Sequence, residues 1–399
     1  MFDVFIVGDA PLRVPGIRLG WFMKEDKVTT EDQVRSTDYK DHHEPWVRMV
    51  KRDDVSKKRA IVVRAVAIAG ALIVGGILIL LIGHNPILVY GDMINGSLGS
   101  PLVLRETTRM AIPLLITGMG IALAFKMRFW NIGAEGQIIA GATAASYFAL
   151  FHHQNLPSPV LLVVMFVAAV VAGGIWGMIP AVFKAKWNTN ETLFTLMLNY
   201  IALEGIRYLQ FGPWRDPGMM GFPVISMFNQ AARLPRVFGV HVGWIIALVL
   251  VALVYIYMKK SKQGYEITVV GESIQTARYA GINVKLVILR TMFISGAIAG
   301  ITGFVTVAGA NHTISEGVTG GVGFTAITVA WLAKLNPAAM IAISVFLAVL
   351  QRGSGTIQTI YNIPAAAAQL LIGLILFFML GCEFFLNYKL IFKKIGARD

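Results

Sequence analysis

The 399-residue chain is 56% hydrophobic and only 14% charged, with a mean hydropathy of +0.66. Soluble domains carry about 25% charged residues, so the balance excludes an ordinary soluble fold and points to a polytopic, all-α membrane protein. One cysteine, Cys382, excludes an internal disulfide framework and a multi-cysteine metal site, and the net charge of +13 reads as Lys and Arg retained on the cytoplasmic side rather than as a nucleic-acid footprint.

The first 64 residues hold 24 of the 57 charged residues. Residues 1–60 read as a polar cytoplasmic arm with no cleavable signal peptide, and 24–59 show no clear hydrophobic period. His42-His43 reads as a solvated pair. Lys51, Arg52, Lys57, Lys58, Arg59 and Arg64 crowd the entry to the first span, where they hold the N-terminus inside and face anionic lipid. A permease-sized apolar domain follows over 61–390, and 391–399 form a cytoplasmic tail.

Ten spans are predicted, near 61–83, 108–126, 134–151, 160–183, 191–211, 241–258, 286–309, 319–333, 337–352 and 364–386. A helix of roughly 20 residues crosses the hydrocarbon core. The segments near 108–126, 134–151, 319–333 and 337–352 are short or interrupted by Gly or Pro, the pattern of broken or re-entrant helices. With the N-terminus inside, internal loops carry 15 Lys and Arg beyond the arm, against 6 outside. That bias places both termini in the cytoplasm. The external segment 212–240, with Pro213, Pro217, Pro223 and Pro235, reads as a structured cap. The internal loop 259–285 is long enough to carry its own structure. Close helix contacts are expected at Gly173/Gly177, Gly296/Gly300 and Gly317/Gly321.

Between the second and third spans lies Asn131-Ile132-Gly133-Ala134-Glu135-Gly136-Gln137. A carboxylate and two amides in hydrocarbon cost several kcal/mol each as an order of magnitude if unsatisfied. They therefore either line something wet or hold a helix break in shape. A second polar break, 315–323, lies in a corresponding place of the other half, and Ser315-Glu316-Gly317 echoes Ala134-Glu135-Gly136, a hint of internal duplication. Glu204 and Arg207, spaced i,i+3, either neutralise each other or face a pore. Asn199, mid-span, either bonds a neighbouring helix or meets solute. Asn188 and Glu191 have the spacing of a capping box. Neither a Walker A pattern nor a Cys/His metal constellation nor a placed catalytic triad is visible, so no enzyme activity, cofactor or metal is expected.

Asn131–Gln137, then Glu191-Thr192-Leu193-Phe194-Thr195-Leu196-Met197-Leu198-Asn199-Tyr200-Ile201-Ala202, then Ala277-Arg278-Tyr279-Ala280-Gly281-Ile282-Asn283 resemble the permease subunit of bacterial nucleoside and simple-sugar ABC importers. That branch lies in the branched-chain amino acid/ribose permease superfamily. The resemblance covers about 61–390 in order. It implies a type II importer-like permease in the bacterial cell membrane. Its implied partners are separate ATPase subunits, a second, homologous permease and an extracellular solute-binding lipoprotein. It further implies that Gly271, Glu272, Ala277, Arg278, Tyr279, Ala280, Gly281 and Ile282 form a short coupling helix that docks on the ATPase. The family's usual Asn-Pro and paired alanines are replaced here by Ser273-Ile274 and Thr276-Ala277.

The expected function is inward passage of a nucleoside or related neutral polar solute, powered by the ATPase partners. Asn131, Glu135, Gln137, Asn199 and Glu204 are the candidate path residues. Hydrogen-bond donors and acceptors suit such a solute better than an ion. The alternatives are a sugar or branched-chain amino acid permease of the same superfamily, or an ion-coupled secondary carrier.

Overall fold

The structure, a computed structural model, describes residues 47–51, 56–219 and 221–392. His42-His43, most of the N-terminal arm and the tail beyond 392 lie outside them. The chain divides into a unit of 51–388 and a unit of 1–50 with 389–399. Strands Val47–Lys51 and Tyr388–Phe392 pair as a two-stranded sheet.

Thirteen α-helices are present among the described residues. They are α1 (Lys57–Leu81), α2 (Pro86–Leu98), α3 (Pro101–Lys126), α4 (Ala134–Phe151), α5 (Ser158–Trp187), α6 (Glu191–Phe211) and α7 (Gly243–Lys260). Then come α8 (Lys262–Glu272), α9 (Ile274–Tyr279), α10 (Val284–Val305), α11 (Val322–Leu332), α12 (Pro337–Tyr361) and α13 (Ala365–Asn387). A helix lies at each of the ten expected spans, and seven of them are long and apolar enough to cross a membrane. In α4 and α6 polar residues dilute the apolar run. Helix α11 is only 11 residues long, so it is the short element at a polar break that the sequence predicts. The regions 108–126 and 337–352 are not broken. Helix α3 runs 26 residues through Pro113, and α12 extends to Tyr361.

Helix starts are written locally. Asn85-Pro86, Ser100-Pro101 and Asn336-Pro337 each place a side-chain acceptor before a proline at the first helical position. The proline lacks an N–H that would be orphaned there, and the cap oxygen takes a first-turn N–H. Helix α2 has no counterpart among the predicted spans. Its 13 residues reach only about 20 Å, too short to cross.

The core forms around α10, which packs against α3, α4 and α5. Helix α3 is buried on every side from Ala111 to Phe125. Two of the three glycine pairs act as expected. A Cβ on Gly173 would meet the Gly296 carbonyl and lie 2.7 Å from Gly300 Cα, and one on Gly300 would strike the Ala169 carbonyl. Only glycine permits so close an approach of α5 and α10. The third pair, Gly317/Gly321, lies in a loop, and nothing surrounds Gly317 within 4 Å of an added Cβ.

The described residues of the 212–240 segment are held by specific bonds. Asp216 Oδ2 accepts from Ser226 Oγ at 2.8 Å, and the backbones of Arg215 and Ile225 pair. Arg236–Val237 and Val240–His241 form a small hairpin. The Phe228 and Leu234 N–H groups donate to the carbonyls of His312 and Ala308, and Ser158 Oγ donates to Ala231 O. These bonds tie the segment to the ends of α10 and α5.

Candidate functional site

The stretch 131–137 turns the chain from α3 into α4, and its polar groups are buried and paired. Asn131 and Gln137 exchange amide hydrogen bonds: Asn131 Nδ2 donates to Gln137 Oε1, and Gln137 Nε2 donates to Asn131 Oδ1, both at 3.2 Å. Asn131 Oδ1 also accepts the Gly133 N–H at 3.0 Å, and Nδ2 reaches Ser295 Oγ at 3.3 Å. Ser295, on α10, donates onward to the Gly120 carbonyl of α3 at 2.7 Å. The amide pair therefore bonds to both helices beneath it.

Helix α6 closes the other side. Asn199 Oδ1 accepts the Gly136 N–H at 2.8 Å, while its Nδ2 donates to the Ile132 carbonyl at 2.9 Å. One turn earlier, Thr195 Oγ1 accepts the Ile132 N–H at 3.3 Å. Asn199 thus supplies both partners that a break in a helix ladder requires. Asn131, Gln137 and Asn199 are no more than 6% exposed.

Glu135 links the two polar breaks. Its Oε2 accepts the Gly323 N–H at 2.6 Å and its Oε1 the Gly321 N–H at 3.1 Å. The carboxylate caps the positive N-terminus of α11 while lying in the first turn of α4, where negative charge is also favoured. A Cβ on Gly323 would come within 2.5 Å of Glu135 Oε2, so that contact requires glycine. The residue echoing Glu135 does something else. Glu316 pairs with Arg207, which also binds Glu204 at 2.7 Å. The Arg207 guanidinium holds the Glu316 carboxyl below the ordinary carboxylate range. Gln210 supports this arrangement, accepting the Glu316 N–H at 3.0 Å and donating to the Pro223 carbonyl at 2.9 Å. The Glu204, Arg207 and Glu316 side chains remain 62%, 44% and 40% exposed.

On another face of α6, which Arg207 does not share, α4, α5 and α6 border an open cavity of about 610 Å³. Tyr147, Trp176, Tyr208 and Trp214 wall it, with Thr143 and Gly205 between them. The Tyr147 and Trp214 rings lie 6.5 Å apart.

The segment 271–282 is structured. Ser273 ends α8 and caps α9, accepting the Thr276 N–H at 3.2 Å. Gly271 is pressed on the Lys126 carbonyl, and Glu266 pairs with Arg290 at 2.9 Å, fixing α8 to α3 and α10. Ala277 is fully buried against its own fold, whereas Tyr279 is 94% exposed. Glu272, Arg278, Ala280 and Gly281 are exposed and Ile282 half-buried, with Gly281 at φ +73°. Ala277 therefore faces inward, leaving Tyr279 and Ala280 outward.

The structure brings Asn131, Glu135, Gln137 and Asn199 together and separates Glu204 from them. The Asn188–Glu191 capping box does not form. Asn188 ends α5 in the left-handed region, Asn190 caps α6, and Glu191 pairs with Lys184 at 2.9 Å. Sequence reasoning missed Ser295, Thr195 and the backbone donors of Gly321 and Gly323. The spacing of Thr195 and Asn199, i and i+4 on one helix face, was the available signal for the second.

A bundle of apolar helices, seven of them long and apolar enough to cross a membrane, with two polar breaks between them is the architecture of a polytopic membrane protein. The chain belongs to the family described as branched-chain amino acid transport system / permease component, which matches residues 103–380. It is 34% identical to the glucose ABC transporter permease protein TsgB13 of Haloferax volcanii, over 81% of this chain and 87% of that protein. It is 29% identical to the guanosine ABC transporter permease protein NupP of Bacillus subtilis, over 82% of this chain and 94% of that one. The nucleoside ABC transporter permease protein NupB of Lactococcus lactis is also 29% identical, over 81% and 92%. Permeases of this kind are the membrane subunits of ABC transporters and work with ATPase subunits.

Proposed function

We propose that this chain carries a nucleoside, or a closely related neutral polar solute, into the cell as one permease of an ABC importer. The observation that carries the reading is similarity along nearly the whole permease to proteins named for guanosine and for nucleosides. A hexose is the second reading, favoured by the 34% identity to a glucose permease.

In this reading ATP is hydrolysed on partner subunits, and 271–282 transmits the change. The exposed Tyr279 beside the small Ala280 supports that role, because a rigid aromatic on a short anchored helix suits a cleft in another protein. A homologous permease completes the pore, a solute-binding lipoprotein delivers from the capped side, and both termini are cytoplasmic, as the charge bias favours. Each nucleotide or solute shifts the pore by its differential affinity for two states. The saturated groups Asn131, Gln137 and Asn199, with Glu135, hold the broken helices, and Glu204 faces the path.

Uptake of labelled guanosine and labelled glucose by cells carrying the chain with its partner subunits tests the reading. Guanosine uptake that is abolished by ATP depletion and competed by other nucleosides supports it. Uptake of glucose alone selects the second reading, and uptake that survives ATP depletion but follows an ion gradient refutes both.

A further inference from the structure

A carboxylate near the end of α13 holds two cations from other elements. Glu383 Oε1 accepts from Arg64 Nε at 3.2 Å and from Nη2 at 2.6 Å, and Lys334 Nζ lies 2.7 Å from its Oε2. Arg64 comes from α1 and Lys334 from the turn between α11 and α12. In that turn Lys334 and Leu335 take φ of +52° and +57°, a left-handed conformation that is costly for residues with a Cβ. All three charged groups line one pocket of about 490 Å³, bounded by α1, α11, α12 and α13. Arg64 lies two residues inside the apolar window Val62–Leu81, and Glu383 three residues before the end of Ala365–Leu386. At 1.5 Å per residue, both sit within about 5 Å of the edge of the apolar band. The pocket therefore lies where hydrocarbon gives way to headgroups and water.

We propose that this pocket binds an anionic phospholipid, with Arg64 and Lys334 taking the headgroup phosphate and the apolar wall taking the glycerol and first acyl methylenes. Two cations share one carboxylate, so the charged groups lining the pocket carry one excess positive charge. The Arg64 and Lys334 side chains are 44% and 55% exposed, whereas Glu383 is only 17% exposed. The carboxylate is thus recessed behind the cations it orients, and an arriving anion meets the cations first. The first turn of α12, whose amino end carries partial positive charge, borders the same space through Asn336 and Ala339. Leu332, Ile343 and Met379 supply the apolar wall. A soluble anion would leave that wall uncovered, and a lipid covers it. Basic pockets between membrane helices bind anionic headgroups for the same reasons. Lys58 and Arg59, by contrast, stand exposed at the start of α1 and do not line the pocket. The site goes beyond the transport reading and does not depend on which solute is carried.

Native mass spectrometry of the full-length chain in detergent, titrated with dioleoyl phosphatidylglycerol or dioleoyl phosphatidylcholine, tests the site. The wild type is expected to retain one phosphatidylglycerol more tightly than phosphatidylcholine. Lys334→Gln is expected to weaken that binding about fivefold, the effect of one basic residue at a lipid surface. Arg64→Gln, on a different element, is expected to act in the same direction, and Lys334→Arg, which keeps the charge, to retain binding. Phosphatidylglycerol should also raise the melting temperature of the wild type more than that of Lys334→Gln, because a ligand stabilises the fold by mass action. Equal retention of the two lipids by the wild type, or wild-type affinity in both Arg64→Gln and Lys334→Gln, overturns the site. Displacement of phosphatidylglycerol by inorganic phosphate assigns the pocket to a soluble anion and overturns the lipid. Loss of the tightly held lipid in a Lys58→Gln, Arg59→Gln double variant, with Lys334→Gln unaffected, assigns it to the open basic cluster and also overturns the proposal.

Discussion

Helix α6 carries two polar clusters only one turn apart, and they are opposite in kind. Asn199 is buried, and both ends of its amide are matched to the 131–137 turn. Glu204 and Arg207 are exposed and matched mainly to charge. Polar groups in a membrane helix are tolerated for two different reasons. The first is complete internal satisfaction, which permits a broken helix in hydrocarbon. The second is contact with water, partner or solute. Residue type does not distinguish them, since Glu135 belongs to the first cluster and Glu204 to the second.

The sharpest test of that division is Glu135→Ala. It leaves the Gly321 and Gly323 N–H groups without acceptors, each costing about 1–3 kcal/mol when buried. A large fall in melting temperature of the purified protein is expected, with uptake lost as a consequence. Unchanged melting would move Glu135 into the exposed class. Next in size, Asn131→Ala and Gln137→Ala should each cost about 1–3 kcal/mol. Their double mutant should cost less than the sum, with a coupling of about 0.5–3 kcal/mol in a denaturation cycle. Additivity would break the picture of one reciprocal amide pair.

The exposed cluster should behave differently. Arg207→Gln should change stability by about 1 kcal/mol or less, as exposed ion pairs do, while uptake falls at equal membrane abundance. A similar separation is expected at the coupling segment. Ala280→Glu should leave melting within about 0.5 kcal/mol of wild type while ATPase activity of the assembled importer no longer drives uptake. The smallest effect concerns the cap. Backbone donation from Gly218, and then the Ser226 hydroxyl, hold the Asp216 carboxyl below its usual range. A depressed folded-state pKa contributes stability above the unfolded value, about 3.9, and loses it as pH falls through the folded value. Limited proteolysis of 212–240 should therefore accelerate only below about pH 4, and Asp216→Asn should remove that acid step.

Much was legible in the sequence because the membrane imposes simple rules. Apolar length located helices at all ten expected spans, and Gly173/Gly177 with Gly296/Gly300 announced the α5–α10 contact. The rest depended on neighbours. Helix α2 escaped because 13 residues fall below the length that hydropathy recognises. Asn188 looked like a cap because spacing alone cannot show that it closes the preceding helix in a left-handed conformation. Gly317/Gly321 matched the small-residue spacing but lies in a loop, where no partner helix approaches.

The sequence by itself determined that this is an all-α polytopic membrane protein with two polar breaks, because long apolar runs, charge bias and glycine spacing are local signals of a lipid solvent. Only the tertiary structure decided how those breaks are used. Glu135 meets the backbone of Gly321 and Gly323 across 186 and 188 residues of chain, while its sequence echo Glu316 turns to Arg207. Hydrogen-bond satisfaction is a property of which groups meet in space, and no local pattern encodes it.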